Sequence, residues 1–238
     1  MPERLDKFLA NQNIGSRKDV GILIRKGNVA VNGEIVKKTD THIIPEKDEV
    51  TVNGEIVGYR RHTYIMMNKP KGVLSASDDK RESTVVDIVP AEIRRRGLFP
   101  AGRLDRNTTG LLIITDDGEM AHRMLAPKSH VFKVYEAVLD GPVTEEDRAA
   151  FAAGVKCGSR NFLPAELWLE DKNDPCRAMV KIREGKFHQV KRMFFECGKT
   201  VLELKRLSIG SLKLDPDLQE GECRIMTDEE VHSVFLEK

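Results

Sequence analysis

The phrase Val-x-Val-Asn-Gly-Glu-Ile-Val occurs twice, at 29–36 and again at 50–57. Asn-Gly suits a two-residue type I′ turn, in which both residues take positive φ. Each phrase is therefore expected to form two short strands about a tight turn, at Asn32-Gly33 and at Asn53-Gly54. Two copies are too few for a solenoid. The residues before them follow a different period. Over 4–12, Leu5, Phe8 and Leu9 share one helical face. Ser16 is placed to cap a second helix, with Val20, Leu23 and Ile24 inward and Arg17, Lys18, Arg25 and Lys26 outward. Gly27 ends it. The polar run Gly58-Tyr59-Arg60-Arg61-His62 then breaks the pattern and reads as a linker. These signals bound a first domain at 1–58 and leave 63–238 for a second.

The second part alternates long strand-like and helix-like segments without strict βα order. Buried strands are expected in 63–70 and 111–118, and further strands in 133–141, 165–170, 177–185 and 201–215. Helices are expected at 84–89, 119–125, 145–153, 187–197 and 228–236, with Thr144 and Thr227 as caps. The fold class implied is α+β. A small N-terminal helix-hairpin domain precedes a larger domain on a mostly antiparallel mixed sheet flanked by helices.

Composition narrows the function. Of 238 residues, 40% are hydrophobic and 32% charged, a globular balance with material for a core. Net charge is only +1, so any attraction to nucleic acid rests on local clusters. Two are visible: Arg94-Arg95-Arg96, and a looser set of Lys186, Lys191, Arg192, Lys199, Lys205 and Arg206. Either reads equally as a solvated face. Cys157, Cys176, Cys197 and Cys223 lack metal-ligand or redox spacing and are expected to stay reduced. The first residues lack an apolar signal-peptide core, and no apolar run is long enough to span a bilayer. A cytoplasmic, monomeric protein without membrane association is expected.

The opening Arg-Leu-Asp-Lys, the Ser-Arg at the second helix and the Gly-x-Val-x-Val-Asn-Gly turn fall in order within residues 3–57. Together they resemble the S4-like RNA-binding domain, first seen in a small-subunit ribosomal protein. The resemblance implies RNA contacts from Arg4, Lys7, Ser16, Arg17, Lys18, Arg25, Lys26 and Lys37. A helix N-terminus flanked by cations suits phosphate.

The most informative chemistry lies in Gly-Arg-Leu-Asp-Arg-Asn-Thr-Thr-Gly-Leu-Leu-Ile-Ile-Thr, residues 102–115. A Gly-flanked polar loop feeds a buried apolar strand. Residues two apart in an extended stretch share a face, so Arg103 and Asp105 are expected side by side, the guanidinium favouring the ionised carboxylate. A carboxylate held on a rigid strand edge suits covalent or acid–base work.

This segment closely resembles the signature of pseudouridine synthases, whose Gly-Arg-Leu-Asp aspartate falls at Asp105. Three further pieces match in order. Residues 67–79 resemble the Asn-Lys-Pro-x-Gly motif. Residues 133–141 resemble the strand whose tyrosine lines the uridine pocket, giving Tyr135. Residues 183–206 resemble the motif whose basic residue pairs with the catalytic carboxylate, giving Lys191. Lysine stands at 186 and 191 where many relatives carry arginine. A point charge thus replaces a bidentate fork. The resemblance is to the Rsu type, and its small-subunit branch, acting on 16S ribosomal RNA, is favoured by Phe187-His188 and Lys191. It implies catalytic roles for Asp105, Tyr135, Arg103 and Lys191, and RNA contacts from Lys69, His188, Gln189 and Arg192. The implied partner is ribosomal RNA or a ribosome-assembly intermediate, with no metal and no cofactor. Asp105 would act as a nucleophile or through a glycal-type intermediate; both stay open.

Taken singly, these residues have plainer readings. Arg103–Asp105 is also what a surface ion pair looks like, and Tyr135 a strand aromatic. Over 187–197, Phe187, Val190, Phe194 and Cys197 fall on one face, expected in the core, with His188, Lys191, Arg192 and Phe195 opposite. Three other functions remain: a large-subunit synthase, a non-enzymatic RNA-binding assembly protein, and a hydrolase holding a divalent metal on Asp78-Asp79 and Asp116-Asp117.

Overall fold

The computed structural model describes residues 2–236, with Pro127 by its backbone alone. The chain divides into two compact units. One holds residues up to Thr63 together with Pro90–Gly97; the other holds Tyr64–Val89 and the residues from Leu98 on. Pro90–Gly97 falls within the 63–238 range of the sequence reading, yet it groups with the first unit. There Arg95 donates to the Arg60 carbonyl at 3.1 Å and to Thr63 Oγ1 at 2.9 Å.

In the first unit, α1 (Leu5–Asn11) and α2 (Arg17–Arg25) precede strands β1 (Val29–Val31), β2 (Glu34–Ile35), β3 (Val50–Val52) and β4 (Glu55–Ile56). Ser16 caps α2 in a full capping box with Asp19. The two Asn-Gly phrases form hairpins β1–β2 and β3–β4, and β1 pairs with β3 to make a four-stranded sheet. Leu5, Phe8, Leu9, Val20, Ile24, Val29, Ile43 and Val50 form the core under it.

The second unit follows in chain order as β5 (Tyr64–Lys69), β6 (Phe99–Ala101), β7 (Thr109–Thr115), α3 (Gly118–Leu125), β8 (Lys133–Leu139), α4 (Glu145–Ala153), β9 (Glu166–Trp168), β10 (Arg177–Ile182), α5 (Gln189–Glu196), β11 (Val201–Ile209), β12 (Leu212–Lys213), β13 (Cys223–Ile225) and α6 (Asp228–Ser233). Among the described residues these strands form one mixed sheet in the order β9-β10-β8-β11-β7-β5-β13, with β6 on β7 and β12 on β11, and a separate small hairpin pairs Lys156–Cys157 with Arg160–Asn161. Every pairing is antiparallel except β11 with β7. That parallel contact sets Arg206 beside Gly110, whose φ is +97° and whose missing Cβ would lie 2.2 Å from the Arg206 carbonyl oxygen. Only glycine allows so close an approach. Met66, Leu111, Ile113, Met120, Met124 and Ile209 form a core beneath α3. Phe151 of α4 meets Phe194 of α5 with ring centroids 4.8 Å apart.

Several expectations change. Residues 84–89 form turns, not a helix: Val85 and Val89 are buried at helical spacing, but Leu74 bridges to Thr84 and fixes an extended start. The helix expected at 187–197 begins only at Gln189, and the last ends at Ser233. Strands β6 and β13 were not anticipated. Among the described residues, no helix is long and apolar enough to cross a membrane.

Candidate active site

The loop from β6 to β7 carries Asp105 and is fastened at several points. Gly102 turns it at φ +91°. Leu104 is buried, and its backbone exchanges hydrogen bonds with Ser75 Oγ, accepting at 2.9 Å and donating at 3.1 Å. The Gly72 amide donates to the Arg106 carbonyl at 2.9 Å, and the Thr108 amide to the Asp105 carbonyl at 3.0 Å. Thus the Asn-Lys-Pro-x-Gly and Gly-Arg-Leu-Asp segments, far apart in sequence, form one structure.

Lys69 stands at the centre of this fastening. It is fully buried, and its ammonium donates to the carbonyls of Pro70 (2.9 Å), Arg106 (3.1 Å) and Thr108 (3.2 Å). Burial draws its pKa down to about 8, while the charges of Asp105 and Glu220 oppose the fall. A lysine enclosed in this way has no route to a phosphate, so the expected RNA contact from Lys69 is replaced by a role in holding the loop.

Helix α5 and its N-cap bring the side chains that face Asp105. Lys191 Nζ lies 3.2 Å from Oδ2 and His188 Nε2 lies 3.5 Å from Oδ1. Arg103, expected beside the carboxylate, is exposed and lines the same cavity, but among the described residues it forms no ion pair with Asp105. Residues 103–105 lie outside any strand, so the two-residue period of a strand does not hold them to one face. Gln189 is also corrected. It is buried, donates to Glu184 Oε1 at 3.0 Å and accepts from the Lys186 amide at 3.1 Å, shaping the turn into α5. Phe187, expected in the core, is 59% exposed. It precedes a left-handed His188 (φ 53°), so it stands outside the helix and off its apolar face.

Tyr135 lines the cavity with Asp105, Ile182, His188 and Leu204 and is itself buried. Two residues not expected at this site lie beside it. Arg206, directly opposite on β11, is buried; its Nε donates to the Leu111 carbonyl at 2.8 Å and its Nη1 reaches Tyr135 Oη at 3.5 Å. Arg206 Nη2 is buried with no hydrogen-bond partner. Lys133 sits two residues before Tyr135 on the same face, buried, its pKa drawn down to about 8 by burial and then by Arg206. The lysine two before the tyrosine was a readable signal. The burial of Arg206 was not, because a Lys-Arg pair in sequence looks like surface.

In the first unit, Arg17, Lys18, Arg25, Lys26 and Lys37 are exposed. Arg4 is paired with Asp6 at 2.8 Å and Lys7 with Glu3 at 3.3 Å. Ser16 is spent on the α2 cap. One member of each aspartate pair has a structural duty. Asp117 accepts from the Glu119 and Met120 amides at the start of α3, and Asp79 accepts from those of Arg81 and Glu82. Among the described residues, no group of three or more His, Cys, Asp or Glu side chains is placed to hold a metal ion.

Residues 63–196 match the RNA pseudouridylate synthase family, and residues 3–43 match the S4 domain. The chain is 47% identical to the uncharacterized RNA pseudouridine synthase YtzG of Bacillus subtilis, over 96% of this chain and 97% of that protein. It is 39% identical to ribosomal small subunit pseudouridine synthase A of Escherichia coli K12, over 97% and 99%. A crystal structure of a pseudouridylate synthase superposes with a TM-score of 0.68 at 38% identity, covering 97% of this chain and 99% of that one.

Proposed function

Because the chain belongs to the RNA pseudouridylate synthase family, we propose that it converts a uridine of small-subunit 16S ribosomal RNA to pseudouridine, with Asp105 at the reacting centre. The observation that carries this reading is the placing of Asp105. A fastened loop presents its carboxylate to a cavity lined by Tyr135 and His188, and Lys191 pairs with that carboxylate at 3.2 Å.

The reaction breaks the bond from uracil N1 to ribose C1′, turns the base and joins C5 to C1′. The proton lost from C5 is balanced by one gained at N1, so no redox partner or cofactor is needed. Asp105 acts as a nucleophile at C1′ or removes a ribose proton to form a glycal; both routes require its anion. Lys191 supplies the facing charge, and in this half-enclosed site it acts with less screening than at an open surface. Tyr135 packs on the uracil. Arg103, at the cavity rim, is positioned for the RNA backbone. The target base must leave its stack, at roughly a few kcal/mol. Contacts from the first domain (1–58), through Arg17, Lys18, Arg25, Lys26 and Lys37, offset that within a chain whose catalytic domain is 63–238. The enzyme acts as a monomer in the cytoplasm, on ribosomal RNA or an assembly intermediate.

The test is chemical mapping of pseudouridine after incubating the purified protein with unmodified small- and large-subunit RNA, naked and partly assembled. Product in small-subunit RNA is expected. Product confined to large-subunit RNA would overturn the substrate, and none in either would overturn the activity.

A further inference from the structure

Large aromatic side chains are usually buried, and Phe187 is 59% exposed. Its ring lies nearly flat against the His188 imidazole, with 3.8 Å between centroids and 18° between planes. The Arg192 guanidinium carbon lies 5.3 Å from the centre of the same ring. The foot of this column is at the cavity, since His188 Nε2 is 3.5 Å from Asp105 Oδ1. The fold does not need the ring there: the apolar face of α5 is supplied by Val190, Met193 and Phe194. His188 even adopts a positive φ, uncommon outside glycine, and this turns the pair away from the helix axis.

The geometry points to a nucleobase-stacking subsite, in which the Phe187–His188 column takes an unpaired base next to the target uridine. This rests on the reading that the chain modifies RNA. Planar rings held nearly parallel and open to solvent stack on any base, whatever its hydrogen-bonding edge. Flipping one nucleotide out of a strand strips its neighbour of a stacking partner. A column beside the carboxylate replaces that partner and keeps the strand from closing behind the flipped uridine. Arg192 adds a charge suited to the adjoining phosphate. The occupant is thus a base of the substrate strand itself.

The test uses full-length protein with Phe187→Leu, which keeps apolar bulk without a ring, and Phe187→Trp, which keeps a ring. Each is assayed on small-subunit RNA, and on a short RNA with 2-aminopurine placed in turn on either side of the mapped uridine. Phe187→Leu is expected to raise KM roughly 5–150-fold, the worth of one base–aromatic stack, with turnover at saturation nearly unchanged. Phe187→Trp restores KM. At one flank, 2-aminopurine is quenched by the wild type and the Trp variant and stays bright with the Leu variant. An unchanged KM in Phe187→Leu, or no flank whose fluorescence depends on the ring, overturns the subsite. So does a fall in turnover alone, which assigns Phe187 to holding His188. An effect confined to assembled particles overturns it too, since the ring would then contact protein. A wild-type enzyme that makes no pseudouridine overturns the functional reading instead; the fluorescence reports binding and judges the subsite separately.

Discussion

Replacing Lys69 by Met removes a fully buried ammonium and takes its donor from the carbonyls of Pro70 and Thr108, whereas the Arg106 carbonyl keeps the Gly72 amide. Each buried acceptor so stranded costs roughly 1–3 kcal/mol. Against this stands relief from burying a charge. The size of that burden shows in the amine's titration, drawn from 10.5 to about 8. At roughly 1.4 kcal/mol per unit, it amounts to about 3 kcal/mol. Below pH 8 the amine is charged in both folded and unfolded chains, and the burden is carried in full. Between pH 8 and 10.5 the unfolded chain binds the extra proton, so the wild type gains stability as pH rises. The Met variant has no such group. The stability difference between the two must therefore move in favour of the wild type across that window, by up to about 3 kcal/mol. Urea melts of both proteins at about pH 7 and about pH 10 measure it. Lys133, lowered in the same way, is present in both and cancels. Curves that stay parallel across the window would refute the account of Lys69 as a charged peg in a dry socket.

Asp105→Asn is expected to abolish product formation while leaving the thermal melt within a degree or two, because the side chain faces a cavity and holds up no core; activity within about tenfold of wild type would remove it from the chemistry. Lys191→Met breaks a 3.2 Å pair and should lower turnover roughly 10–100-fold with RNA affinity little changed; a loss seen only in affinity would make Lys191 a phosphate contact. Gly110→Ala forces a Cβ to 2.2 Å from the Arg206 carbonyl oxygen and should destabilise by more than about 2 kcal/mol in a denaturant melt; a near-native midpoint would show that the parallel pair yields readily.

What was legible in the sequence was what short-range chemistry decides. Both Asn-Gly turns sit where expected, with Asn32 at φ 51° and Gly33 at φ 83°. Ser16, Thr144 and Thr227 all cap their helices. The pairing of Lys191 with Asp105 came from a family resemblance and has a geometric counterpart here. What was not legible depends on long-range contacts. Val85 and Val89 are spaced like a helix, but a bridge to Leu74 decides their backbone. Phe187 was assigned to the core by carrying a helical phase one residue past the point where His188 breaks it. Lys69, Gln189 and Arg206 look like solvent-facing charge and polarity in one dimension. Their burial follows from which strand or turn covers them, and a single sequence does not carry that.

The parallel ladder between β7 and β11 has a consequence for how the molecule comes into being. Asp105 precedes β7, whereas Tyr135 and α5 belong to the far side of that ladder. The two sides of the catalytic cleft therefore meet only when residues near 109 find residues near 205, a closure of large contact order that is slow compared with hairpin formation. The edge strand β13 joins β5 later still, from near the end of the chain. During synthesis the N-terminal helices and hairpins emerge and settle first, so a nascent chain carries its RNA-facing module well before it has a working centre. Competence for chemistry thus waits on the pairing of residues near 109 with residues near 205.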